Sequence, residues 1–257
     1  MTTHLLRLSP AVALLAVALA FSASTRGEAH KAITSKYTFN DDVFTVFSDH
    51  CGRCHVDGGV APMSLLTYDD AAPWAESLRI ELLSEDDPKP WHRLRLSARE
   101  FDTILVWANG GAPRGDVAKA PPPVALQNRW AEGDPDLALK MPAAFTLAGA
   151  ERTATHEVVL AAAGAAGKSL RAVDLLPGLP AIVRAAELAL KQADGTLVPL
   201  GLWIPGQPEA LALKAPLVVP AGVSVVARIT YARTWKYEGQ DLADASTIGL
   251  YFASSGR

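Results

Sequence analysis

Three consecutive prolines, Pro121-Pro122-Pro123, separate two stretches of this 257-residue chain whose apolar residues repeat with different periods. A proline run holds extended backbone and cannot lie inside a helix or a central strand. Upstream of it the apolar residues recur every three to four positions. Downstream they alternate. A sequence patterned for one period does not settle into the other, so the two stretches must fold differently. The expected class is α+β with two domains: a small all-α unit over 36–114, a proline-rich linker over 115–132, and an antiparallel β-sandwich of jelly-roll type over 133–257.

The upstream stretch carries its own start and stop signals. Thr38 and the acids Asp41 and Asp42 precede the apolar run Val43-Phe44-Thr45-Val46-Phe47 and suit a helix N-terminus. Thr67-x-x-Asp70 predicts a second helix to about Leu83 with Trp74, Leu78 and Leu82 along one side, broken by Pro88 and Pro90. Ser97-x-x-Glu100 predicts a third through Phe101, Ile104, Leu105 and Trp107, stopping at Gly110-Gly111. Downstream, strands are expected over 156–160, 169–175, 181–188 and 223–231, separated by turns at Pro177-Gly178, Asp194-Gly195, Pro205-Gly206 and Pro220-Ala221-Gly222. The alanine-rich segment 161–166 also fits a helix.

Both cysteines of the chain lie in Cys51-Gly-Arg-Cys54-His55. This spacing suits covalent c-type haem: two thiols two residues apart reach the two vinyl groups of one porphyrin, and the next histidine falls under the iron as axial ligand. A thioredoxin-like pair needs a preceding βαβ pattern, and a zinc site needs further ligands at ligand spacing. The sequence offers neither, and a chance disulfide is the remaining rival. The three predicted helices, with the motif after the first and a Gly-rich loop at Asp57-Gly58-Gly59, have the layout of a small cytochrome c.

Such haem is attached outside the cytoplasmic membrane, and residues 1–29 read as a cleaved export signal: Arg7, then an apolar run from Leu8 to Ala23 that is short for a bilayer span. A periplasmic or exported protein without a membrane span in its mature form is expected. Lysine and arginine number 24 against 27 acids, net charge −3. With no basic stripe, nucleic acid is not an expected partner.

Several segments together resemble a bacterial exported family in which a cytochrome c domain is fused to domains like those of copper-dependent, ascorbate-dependent monooxygenases. They are Thr38 to Val43, Cys51 to His55, Ala61 to Tyr68, Pro73-Trp74-Ala75 and Gly110 to Pro113 in the first half. In the second they are Gly133 to Leu137, Arg171-Ala172-Val173, Leu202 to Gly206, Val219 to Gly222 and Ile248 to Phe252. The resemblance implies that 133–257 corresponds to the first of that family's two monooxygenase sandwiches; the second would have to lie beyond Arg257 and is absent from these 257 residues. It places that family's first copper ligands at Arg184, Ala185 and Thr230, with Ala232 two residues on. An arginine offers a metal no lone pair and an alanine no donor, so no copper is expected there.

Where the family usually has a distal methionine, this chain reads Pro88-Lys89-Pro90-Trp91-His92. His92 is therefore the first candidate for the sixth iron ligand, Met63 the second, and an exposed loop histidine the plain alternative for His92. Trp74, Trp91 and Trp107 suit the core or the haem wall, and His156 an ordinary strand position. The expected function is electron transfer by one covalent haem c held by Cys51, Cys54 and His55, with the sandwich docking the protein to a redox partner or a periplasmic assembly. The alternatives are a haem- or copper-dependent oxygenase or peroxidase-like enzyme, with His30 as a possible new N-terminus, and a haem-based gas sensor.

Overall fold

The structure, a computed structural model, describes residues 32–84 and 96–254. The expected signal peptide, His30, Trp91 and His92 lie outside the described residues. Thr38 opens the first helical segment: its hydroxyl accepts from Asp41 N–H at 3.3 Å, and its carbonyl accepts from both Asp42 and Val43 N–H at 3.1 Å. That double acceptance widens the first turn into a π-helical one, Phe39–Val43, which runs on as α1 (Phe44–His50).

The helix expected from Thr67 to Leu83 forms in pieces. Thr67 caps it by accepting from Asp70 N–H, giving α2 (Tyr68–Ala71), and a 3-10 turn at Ala72–Trp74 intervenes before α3 (Ala75–Leu83). Pro73 lies in that turn and has no N–H for an α-helical bond, so the sequence pattern ran through a break that the backbone makes. Around α4 (Ala98–Asn109) the Ser97/Glu100 capping box closes in both directions. Trp107, fully buried, packs edge-on against Phe47 and beside Phe39, with ring centroids 5.9 and 6.2 Å away, and its indole N–H donates to the Pro113 carbonyl at 3.0 Å. These rings centre a core that draws its residues from the helical half alone.

The linker is less free than its composition suggests. Asp116 caps a 3-10 turn at Val117–Lys119, Lys119 pairs with Asp41 at 2.7 Å, and Leu126 packs on the helical core.

Ten strands follow among the described residues, and every pairing is antiparallel. They are β1 (Leu137–Lys140), β2 (Phe145–Leu147), β3 (Thr153–Ala161), β4 (Ser169–Leu176), β5 (Val183–Lys191), β6 (Leu197–Trp203), β7 (Leu211–Val218), β8 (Ser224–Ala232), β9 (Leu242–Asp244) and β10 (Thr247–Phe252). One four-stranded sheet has the order β1-β10-β4-β7, another β3-β8-β5-β6, and β2 pairs with β9. Val173, Leu175, Ile248 and Leu250 of the first sheet share one core with Val158, Leu188, Val225 and Ile229 of the second. The class is α+β with antiparallel sheets.

The four expected strands appear as β3, β4, β5 and β8, while residues 161–166 end β3 and make a short 3-10 turn at Ala163–Ala165 instead of a helix. β6 and β7 escape the pattern because each carries a proline, Pro199 and Pro216. Both lie at sheet edges, where a missing N–H leaves no ladder partner unsatisfied. No helix among the described residues is long and apolar enough to cross a membrane.

Candidate functional site

The last turn of α1 delivers the first cysteine. Cys51 and Gly52 N–H both donate to the Phe47 carbonyl, at 2.8 and 2.7 Å, so the helix ends on a shared acceptor as the chain turns. The next turn is closed by Cys51 itself, whose carbonyl accepts from Cys54 N–H at 3.1 Å and His55 N–H at 2.8 Å. Two longer clasps fix the loop beyond: Ala61 N–H on the Cys54 carbonyl at 3.1 Å and Leu65 N–H on the His55 carbonyl at 3.0 Å. Gly59 is required by this wrap, since a Cβ there would sit 2.5 Å from the Cys54 carbonyl oxygen.

Both cysteines are free thiols and half-buried. Burial, reinforced by neighbouring Cys54, pushes the Cys51 thiol up to about 12. Burial also raises Cys54, while the guanidinium groups of Arg184 and Arg53 pull it back down. His55 is held below the usual imidazole value by burial, partly offset by its hydrogen bond to Met63. That bond, 3.1 Å from Nδ1 to the Met63 carbonyl oxygen, decides the tautomer. A carbonyl only accepts, so Nδ1 carries the proton and Nε2 keeps its lone pair. Two thiols and one such imidazole are the donor set that a covalent haem requires, and a backbone carbonyl behind the ring is the usual second support for a metal-bound histidine. Met63 thus meets the site through its backbone, at the ring nitrogen that faces away from a metal on Nε2.

The motif loop does not end at the helical half. Three contacts of the loop and one of nearby Trp74 reach the strand half, for which the sequence suggests docking or assembly. Arg184 Nη1 donates to the Val60 carbonyl at 2.9 Å, and Lys236 pairs with Asp57 at 2.6 Å. Trp235 stacks on Trp74 with centroids 6.5 Å apart. The turn after β6 covers Cys54: its sulfur lies 3.9 Å from the Pro205 carbonyl oxygen. Gly206 there has φ +77°, and a Cβ on it would come within 2.7 Å of that sulfur, so only glycine lets the turn approach so closely. In the same turn Gln207 accepts from Ile204 N–H at 3.3 Å, while its buried Nε2 has no partner among the described residues.

The other described histidines and the tryptophans named above scatter. His50 directly precedes Cys51 in sequence, but its Nε2 lies 3.1 Å from Glu100 Oε1 and is tied to the α4 cap. His156 stacks on Phe145, which stacks in turn on Tyr231. Trp107 is core, whereas Trp74 reaches the strand half. Ala185 faces Thr230 across the β5–β8 ladder, so the positions to which the resemblance assigned copper ligands are neighbours in the sheet. Among the described residues no group of three or more His, Cys, Asp or Glu side chains is gathered closely enough to hold a metal ion. The roles of Arg184, Gln207, Trp235 and Lys236 were missed, although the Pro205-Gly206 turn signal marked the place where one of these contacts arises. No family model matches the chain, and no curated protein matches it.

Proposed function

We propose that this chain is an exported, monohaem c-type cytochrome that transfers single electrons. One observation carries the reading: Cys51 and Cys54 are free thiols on one short turn, followed by a histidine whose Nδ1–H is tied to the Met63 carbonyl and whose Nε2 is left to bind a metal. When bound, haem supplies a one-electron ferric/ferrous couple. The protein's part is to attach it through the two sulfurs, to orient His55 through Met63, and to keep water away with Val56, Leu65 and Leu66, all buried around the loop. The proposed architecture is a cytochrome c domain over 36–114, a linker over 115–132 and a β-sandwich of monooxygenase type over 133–257. The sandwich serves docking or assembly without bound copper, and a periplasmic redox protein is the partner. His92 is the proposed sixth ligand because it lies in the loop where the resembling family carries its distal methionine, which this chain lacks.

Mass spectrometry of the intact purified protein after acid-acetone extraction tests the foundation. One haem should remain attached. A haem-free mass, or a Cys51–Cys54 disulfide, overturns the reading.

A further inference from the structure

Arg184 occupies an irregular place in its strand. In the β5–β8 ladder Val183 faces Tyr231 and Ala185 faces Thr230, so Arg184 has no opposite residue and forms a β-bulge. A bulge breaks the alternation of side chains and re-aims one of them. Here Val183 and Ala186 are buried while Arg184 and Ala185 between them both turn outward, and the Arg184 side chain crosses to the Val60 carbonyl beside Cys54. The contact spans 124 residues of sequence.

The guanidinium is half-buried and makes no ion pair among the described residues. Its electrostatic neighbour is Cys54, and burial works against its charge. Arginine does not shed its proton to relieve that cost, so the position holds a fixed positive charge. The other charged contact at this junction, Lys236 with Asp57, cancels itself. A strand that needed only to rest on the loop would gain more from an apolar side chain, since burying an unpaired charge is unfavourable.

We propose that Arg184 is a potential-setting residue, a cation which strand β5 holds against the haem-attachment loop to favour the reduced state. The inference rests on the covalent haem reading given above. Reduction of ferric to ferrous iron takes one electron from an external one-electron donor protein and lowers the positive charge of the site by one. Arg184 gains or loses no proton in this step. A fixed cation nearby lowers the energy of the less positive state, and more strongly where solvent is partly excluded. The bulge then has a purpose beyond packing: it sends a charge from the strand half into the site on the helical half.

The test uses the full chain with its haem, in the variants Arg184→Gln, Arg184→Met and Arg184→Lys. For each, midpoint potential is measured by spectroelectrochemical titration, with haem content from intact mass. Gln keeps an N–H donor for the Val60 carbonyl but has no charge, whereas Lys keeps the charge. The Gln and Met variants should show a reduction equilibrium constant about tenfold lower, equivalent to about 59 mV for one electron. The Lys variant should stay near wild type. A Gln variant with full haem and an unchanged potential overturns the proposal, as does a Lys variant that falls as far as Met. If Met fails to fold, the Gln–Lys pair still decides. A wild-type protein without attached haem would instead sink the reading beneath, and is recognised by mass before any potential is measured.

Discussion

Asp244→Asn should destabilise the protein by several kcal/mol and loosen two of the three strand-half segments that reach the helical half, those of Arg184 and of Trp235 and Lys236. Asp244 is fully buried and accepts four hydrogen bonds: at Oδ2 from Tyr231 Oη (3.0 Å), Ser246 N (3.1 Å) and Ser246 Oγ (2.7 Å), and at Oδ1 from Leu179 N (2.8 Å). Every partner donates, a set that a carboxylate matches and an amide cannot. The best asparagine orientation turns its oxygen to the three donors and its NH₂ to Leu179. One buried N–H then loses its acceptor, at about 1–3 kcal/mol, and three charge-assisted bonds become neutral ones, each weaker by about 1 kcal/mol. Burying an amide costs less than burying a charge, which returns part of the sum, so about 3 kcal/mol is the net expectation. In a chain of this size that lowers Tm by about 6–12 °C. Tyr231→Phe removes one bond only and should cost about 1.5–2 kcal/mol. Urea denaturation of the full chain, followed by circular dichroism, measures both. The network matters at the site because Leu179 leads into β5 and Arg184, while Tyr231 lies one residue from the end of β8, shortly before Trp235 and Lys236. If Asp244→Asn lies within about 1 kcal/mol of wild type, or costs no more than Tyr231→Phe, the hydrogen-bond reasoning fails.

Two further outcomes follow from the helical half. Hydrogen bonds from Ser97, through side chain and backbone, and from His50 hold Glu100 down from its ordinary 4.5 to about 2. A carboxylate depressed in the folded state stabilises fully above pH 4.5 and loses that contribution as pH falls toward 2. Denaturation midpoints against pH should therefore drop more steeply between those values in wild type than in Glu100→Gln. Equal slopes would count against the capping assignment. If the proposed haem is bound, His92→Ala should open it to carbon monoxide while Met63→Leu leaves the coordination spectrum unchanged. A methionine–iron band near about 695 nm that disappears in Met63→Leu would reverse the ligand assignment.

The features legible in the sequence are those that close within a few residues. Thr38, Thr67 and Ser97 each cap a helix by accepting from a backbone N–H three positions on, and those spacings predict the starts of the helical segments. The Cys51-x-x-Cys54-His55 spacing is likewise complete in itself, because one turn of backbone presents all three side chains. Alternation located β3, β4, β5 and β8, which are among the longest strands, and it missed the short β1, β2, β9 and β10 as well as β6 and β7, each of which carries a proline at a sheet edge. Sequence could not foresee that Arg184 would be the bulged residue of its strand. A bulge belongs to a register between two strands, here residues 183–185 and 230–231, and no local pattern encodes it. Nor could sequence bring Pro205 and Gly206 onto Cys54 across 151 residues, or Trp235 onto Trp74. Those contacts depend on how the strand half as a whole lies against the motif loop, an arrangement fixed by long-range packing. The motif on which the haem proposal rests was thus written in five consecutive residues, while its electrostatic surroundings were decided only when two distant parts of the chain came together.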